Sequence, residues 1–205
     1  MTNPVRITHN ILAAACREHG DKLVATSSFQ TQSAPLLHMI SRWCPATPVW
    51  FLDTGFHFKE TIVYKKLLAT RFKLQVTDVK AAYSLGCVYK NSVRNCCAWY
   101  KTLPLNNALL EHNITGWMSG VRADQTAFRA GLKWYEQHDN IERILPMLHW
   151  TAQDVADYIE KYKLPEHPLT AKGYASIGCE PCTEAGAKRS GRWPGSPKVE
   201  CGMHK

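Results

Sequence analysis

"KLVATSSFQTQS", residues 22–33, decides the fold. "KLVATSS", residues 22–28, reads as a short buried strand. It runs directly into the polar turn "SSFQTQS", with Ser27 and Ser28 at its start. "APLLHMISRW", residues 34–43, then reads as a helix whose Pro35 suits a first turn. Outward from this unit the pattern repeats. Upstream, Ile7 to His19 is a helix that Thr8 can cap and Gly20 can end. Downstream, "PVWFLDTG" is a second strand closing on Asp53 and a turn, Lys59 to Phe72 is helical, and "KLQVTDVK" is a third strand. This alternation predicts an α/β fold, a parallel sheet covered by helices on both faces.

Farther along, "NSVRNCCAWYKTLPLNNALL" has helical spacing that Pro104 is expected to interrupt. "GWMSGVR" reads as a fourth strand, and "RILPMLHW" holds a further short one. "TAQDVADYIEKYK" is an amphipathic helix with Thr151 as its cap and Asp154 as the capping-box acid. After Leu164 proline, glycine and lysine become frequent and periodicity fades. The expected division is an α/β nucleotide-binding domain over residues 1–163 and an irregular functional segment over 164–205. Ligands in such sheets bind beyond the carboxyl ends of the strands. Three polar turns fall there: "SSFQTQS", "LDTG" and "SGVRADQ", the last containing Arg122. Hydroxyls and N–H groups before a helix cradle phosphate, although ordinary strand-to-helix turns use the same residues. No G-K-[ST] occurs, so a Walker loop is excluded.

The chain has 205 residues, 45% of them hydrophobic, enough for a real core. Its 25 lysines and arginines exceed 17 acids, a formal charge of +8. The basic residues are scattered rather than in runs, which favours a small anionic ligand over nucleic acid. "MTNPVRITHN" lacks the apolar stretch of a signal peptide, and nothing approaches a membrane span. A cytoplasmic location follows as an expectation, and there eight cysteines suggest metal binding or catalysis rather than a disulfide framework.

Cys96–Cys97 is a tandem pair and Cys179-Glu180-Pro181-Cys182 is a C-x-x-C. Two pairs of thiolates can hold zinc or an iron–sulfur cluster. Adjacent side chains on a helix diverge by about 100°, which favours the separate iron corners of a [4Fe–4S] cluster over one ion. Buried unligated cysteines are the third reading. Lys101 lies one helical turn after Cys97, so it either offsets cluster charge or is an ordinary solvated lysine. Cys201 stands outside the pairs. Lys188, Arg189, Arg192, Lys198, His204 and Lys205 surround it in the sequence, with Glu200 opposing them. Cations lower a thiol's pKa and make a nucleophile, although an ordinary surface cysteine fits too. Cys16, Cys44 and Cys87 are expected to pack.

Taken together, "CC" at 96–97, "SIGCEPCT" at 176–183, "GRW" at 191–193 and "ECGMH" at 200–204, with "FLDTG" and "SGVRADQ", resemble the phosphoadenylyl/adenylyl-sulfate reductase family of the PP-loop (adenine nucleotide alpha-hydrolase-like) superfamily. The resemblance runs from about Leu23 onward. The full set of paired cysteines resembles the iron–sulfur branch, which acts mainly on adenylyl sulfate (APS). It implies Cys96, Cys97, Cys179 and Cys182 as [4Fe–4S] ligands and Cys201 as the catalytic nucleophile. Lys101, Arg189, Arg192 and His204 are implied as substrate-binding, with Ser27, Ser28 and Arg122 as further contacts. The implied reaction gives sulfite and AMP through an S-sulfocysteine on Cys201, which a mobile tail would carry from a closed pocket to a separate thioredoxin-like dithiol protein. Reduction of the 3′-phosphorylated nucleotide, or of both, is the alternative. A PP-loop tRNA thiolase is a further one, although the turn lacks an S-G-G-K-D-S sequence. A non-catalytic iron–sulfur or zinc protein is the last.

Overall fold

The computed structural model describes residues 3–82, 86 and 92–204. Six strands form one sheet: β1 (Leu23–Thr26), β2 (Val49–Asp53), β3 (Val76–Lys80), β4 (Gly116–Ser119), β5 (Tyr135–His138) and β6 (Ile141–Ile144), in the order β3-β2-β1-β4-β6-β5. All pairings are parallel except β5 with β6, a hairpin at one edge. β1, the strand of the opening stretch, lies in the middle. Its Leu23 and Ala25 enter one apolar core while Val24 enters another on the opposite face. Burial on both faces explains why it reads as an unbroken apolar run.

The larger core lies under α1 (Pro4–His19), α2 (Ala34–Trp43), α3 (Lys59–Phe72) and α7 (Ala152–Tyr162), which contribute residues such as Leu12, Leu37, Tyr64 and Tyr158. The smaller core packs Leu105, Ala108 and Leu109 of α5 (Leu103–Glu111) on Trp50, Leu52 and Trp117. The result is the three-layer arrangement expected. Chain direction makes the important point: β1, β2 and β3 step one way across the sheet, then β4 returns to the other side of β1. The crossover opens a crevice beyond the ends of β1 and β4, which is where such sheets bind ligands.

Several local expectations hold and others are corrected. α2 and α3 have the bounds that the sequence predicts. Thr151 and Asp154 form a reciprocal capping box on α7, an arrangement worth about 1 kcal/mol. Thr8 does not cap α1. Asn3 does so through the amide N–H of Val5, while buried Thr8 takes a hydrogen bond from Trp150 Nε1 at 2.8 Å and gives one to Pro146 O. Pro104 does not end the helix: it sits in the first turn of α5, just after a π-helical turn gives way to α geometry. α4 (Val93–Cys97) runs into α5 through a π-helical turn, Ala98–Thr102. Cys16 and Cys44 do not merely pack: α1 and α2 bring their Cα atoms to 6.4 Å and the two form a disulfide. Cys87 lies outside the described residues.

From Pro165 to His204 the chain has no α-helix or strand, only two 3-10 turns. Side chains of the first polar turn fasten it. Thr31 Oγ1 lies 2.6 Å from Thr170 Oγ1, Gln32 Nε2 donates to Ala175 O, and Gln30 Oε1 accepts from Ile177 N. His167, 1% exposed, accepts from Leu169 N at Nδ1 and faces Thr61 Oγ1 through Nε2, so its ring is neutral.

Burial pushes the pKa of His167 from 6.5 down to about 4. The unfolded ring takes up a proton near the upper value and the folded ring refuses it until the lower one. Stability from this residue is therefore present above pH 6.5 and lost as pH falls toward 4. Urea midpoints should drop across that window, and His167→Asn should shallow the slope. An equal slope in the variant contradicts this assignment.

Candidate active site

The crevice at the strand crossover is an open cleft with about 1110 Å³ of empty space, solvent at its mouth included. Ser27, Ser28, Lys101, Arg189, Arg192, Cys201 and His204 all line it. Ser27 Oγ accepts from Phe29 N at 3.1 Å, and Ser28 lies in the exposed turn beside it. Phe29 takes a left-handed conformation, φ 47°, rare for a bulky side chain. Complete burial and an edge-to-face contact with Phe51 hold it there.

Arg122 is not brought into the cleft wall. Its guanidinium, on a residue only 4% exposed, binds both carboxylate oxygens of Asp124 and the Oε1 of Gln32. It acts on the cleft through Gln32. Gln125 Nε2 donates to the same Gln32 oxygen, and Gln125 Oε1 accepts from both Arg122 N and Arg129 Nη1. Arg129, Gln30, Gln32 and His57 are lining residues that the sequence did not single out. Gln30 and Gln32 fall within the first polar turn, and Arg129 follows the third by four residues, while His57 left no signal.

Four buried polar atoms around the cleft have no partner within the protein: Arg189 Nε, Arg192 Nε, Trp193 Nε1 and His204 Nδ1. Native proteins seldom leave such groups unpaired, so their concentration beside one cavity marks a place for a polar ligand. Burial pushes Arg189 down to about 10, so it remains a cation at neutral pH. Burial, reinforced by Arg129, Arg143 and Arg189, pushes His204 down to about 3. His204 is thus a neutral hydrogen-bonding group, stacked on Trp117 at 5.3 Å, and not one more cation near Cys201.

Behind the cleft is a second hollow of about 330 Å³, lined by Cys96, Cys97, Cys179 and Cys182 together with Thr54, Phe56, Tyr100, Lys101 and Pro181. The sulfurs come from two distant segments. The C-x-x-C turn is pinned to the turn after β2 by Glu180 N donating to Phe56 O at 2.7 Å, and Thr54 Oγ1 lies 3.2 Å from Cys179 Sγ. Trp193 N donates to Cys182 O, with the ring beneath Arg192 at 4.5 Å. A tetrahedral zinc with 2.3 Å bonds sets its sulfurs about 3.8 Å apart. Among the described residues the trio of possible metal-ligating groups whose atoms lie within 4.8 Å of one another is Glu18, His19 and Glu142, away from these cysteines. Cys182 donates to Cys179 and holds its thiol well below the usual range against the effect of burial, with help from Lys101 and His57. The same bond pushes Cys182 up.

Lys101 lines both hollows. Burial disfavours its charge, but the sulfurs of Cys179 and Cys201 outweigh burial and raise its pKa. Arg192 is buttressed at close range: a Cβ on Gly178 would lie 2.3 Å from Arg192 Nη2. Gly178→Ala should displace that guanidinium, a flexible side-chain end, at little cost in stability. Affinity for inorganic sulfate, measured by calorimetry, should fall about tenfold, the scale of one charged hydrogen bond. Unchanged affinity contradicts a ligand role for Arg192.

Comparison with known proteins agrees with this geometry. Residues 22–185 match the phosphoadenosine phosphosulfate reductase domain model. An adenosine 5'-phosphosulfate reductase of Mesorhizobium japonicum is 40% identical over 90% of this chain and 76% of its own length. One of Geobacillus sp. (strain WCH70) is 36% identical over 95% of this chain and 88% of its own. The crystal structure of phosphoadenylyl-sulfate reductase from Candida auris, a phosphate complex, superposes with a TM-score of 0.73 at 23% identity, covering 86% of this chain and 90% of that one, and shares the fold. By the domain match and by these relatives, the chain belongs to the phosphoadenosine phosphosulfate reductase family.

Proposed function

We propose that this protein reduces adenylyl sulfate to sulfite and AMP, with Cys201 as nucleophile and a thioredoxin-like dithiol protein as reductant. One observation carries the reading. Cys201 lines a cleft shared by Lys101, Arg189 and Arg192, and the unpartnered buried Nε–H groups of the two arginines suit an anion. The relatives' names supply the activated sulfate as that anion.

The chemistry then balances as follows. The Cys201 thiolate attacks the sulfur of the bound sulfonyl group. A sulfur–oxygen bond breaks, AMP leaves with the electron pair, and an S-sulfocysteine remains. A dithiol thiolate next attacks Cys201 Sγ, and the sulfur–sulfur bond breaks with sulfite as leaving group. The second thiol resolves the mixed disulfide, regenerates Cys201 and leaves the dithiol oxidised by two electrons. Charge moves from the sulfonyl group to the departing phosphate, and Lys101, Arg189 and Arg192 stabilise it in place. Ser27 and Ser28, at the end of β1, hold the nucleotide side, and neutral His204 offers its free Nδ1 as a hydrogen-bond partner. Arg122 serves by positioning Gln32.

Cys96, Cys97, Cys179 and Cys182, which line one hollow, would hold a [4Fe–4S] cluster, and the divergence of the adjacent pair on a helix supports it over zinc. When bound it supplies fixed negative charge next to Lys101; the thiols already account for both electrons. In this reading residues 1–163 bind the nucleotide and 164–205 carry the C-x-x-C, the arginines and the thiol. No helix among the described residues is long and apolar enough to cross a membrane, in keeping with a cytoplasmic enzyme.

The test is sulfite release from adenylyl sulfate with reduced thioredoxin. Cys201→Ser should abolish it while retaining iron and nucleotide binding. Mixed with substrate and no reductant, the unmodified enzyme should gain the mass of one SO₃ at Cys201. Turnover by the serine variant rules out this nucleophile. Parallel rates with the 3′-phosphorylated nucleotide separate the two donor specificities.

A further inference from the structure

Glu200 immediately precedes the thiol, and its side chain is 2% exposed. A carboxylate buried that deeply is costly unless neutralised and hydrogen-bonded. Here it is both. Arg129 Nε donates to Oε1 at 2.8 Å and Arg129 Nη2 to Oε2 at 2.7 Å, a two-pronged pair. Thr126 Oγ1 donates to Oε1 at 2.8 Å. Arg189 Nη2 adds a longer contact at 3.7 Å and donates to Val199 O at 3.0 Å. Burial opposes the charge, but these donors hold the Glu200 carboxyl below its usual range.

Arg129 is itself tied to Gln125, and Gln125 to Gln32 of the first polar turn. The segment bearing Cys201 is thus fastened, through one carboxylate, to the network that shapes the cleft. Residues beyond the thiol lean on other contacts: His204 stacks on Trp117, and its Nε2 lies 3.4 Å from Ser119 Oγ, a weak bond; before the thiol, Val199 is 58% exposed.

Resting on the reading of Cys201 as nucleophile, we infer that Glu200 and Arg129 form a latch that positions the thiol at the cleft, and that opening this latch frees the tail for the dithiol partner. Both are positioning residues; neither touches the reacting sulfur. The design has a physical logic. A wholly buried pair is strong enough to hold geometry, yet one ion pair with its hydrogen bonds opens as a unit.

The experiment compares wild type, Glu200→Gln, Arg129→Gln and the double variant in the iron-loaded protein, with AMP affinity of Glu200→Gln and iron content of every variant confirming an intact cleft. Glutamine keeps the shape of the carboxylate and removes its charge. Without substrate, alkylation of Cys201 by iodoacetamide, read by peptide mass, should speed up at least about tenfold in Glu200→Gln. SO₃ transfer to Cys201 in a single turnover should slow by a similar factor, while AMP affinity stays within about twofold. The double variant should be no worse than the worse single one, as for residues acting through each other. Alkylation and transfer at wild-type rates overturn the latch. So does loss of AMP affinity or of iron in the variants, which makes the pair part of the ligand site or of the general fold. If wild type forms no SO₃ adduct, the nucleophile assignment falls, while the alkylation rates still decide whether Glu200 and Arg129 hold the tail.

Discussion

A largely enclosed ammonium stays charged only if anions surround it, and Lys101 is where this constraint bears hardest. Burial alone lowers its pKa, and the cysteine sulfurs on either side raise it above the usual lysine value. Lys101 is consequently the wall between two hollows, one lined by four thiols and one by arginines. The rest of the molecule can be read as the means of bringing those sulfurs to it. β2 ends in the turn that holds Cys179, α4 delivers Cys96 and Cys97, and the segment after Leu164 returns across the sheet with Cys182 and Cys201.

That returning segment has almost no regular structure, so its backbone groups must be satisfied another way. The first polar turn does much of this work. Gln30, Thr31 and Gln32 bind residues 170–177, while the same turn forms the floor of the cleft. Binding surface and tail attachment are thus built from one stretch of chain. A change in that turn alters both together.

Much of this was legible in the sequence because it depends on local rules. Apolar runs bounded by polar turns gave β1 and β2, and Thr151 with Asp154 marked the start of α7. The cysteine pairs were legible because their spacing is chemical. What escaped depends on contacts between distant residues or on surface polarity. β5 is the largely exposed, polar "YEQH", with no alternation to reveal it, and it exists because β6 offers a hydrogen-bonding edge. The Cys16–Cys44 bridge follows from how α1 lies on α2, which no local pattern encodes. Glu200 read as a lone acid opposing a basic tail. Its role emerged only when α6 (Ala127–Ala130) carried Arg129 to it. Arg122 shows the reverse: its turn was found, but its charge was already taken by Asp124.

The wide turn at Ala98–Thr102 has one more consequence. A π turn holds one residue more than an α turn, so everything before it is rotated by about 100° relative to α5. The apolar face of α5 is fixed by its packing on Trp50 and Trp117. Helix phase, and not helix length, thus decides where the tandem sulfurs aim. Shortening this loop of backbone by a single residue would regularise the helix and leave every cysteine in the chain, yet swing the pair around the axis and away from its two counterparts.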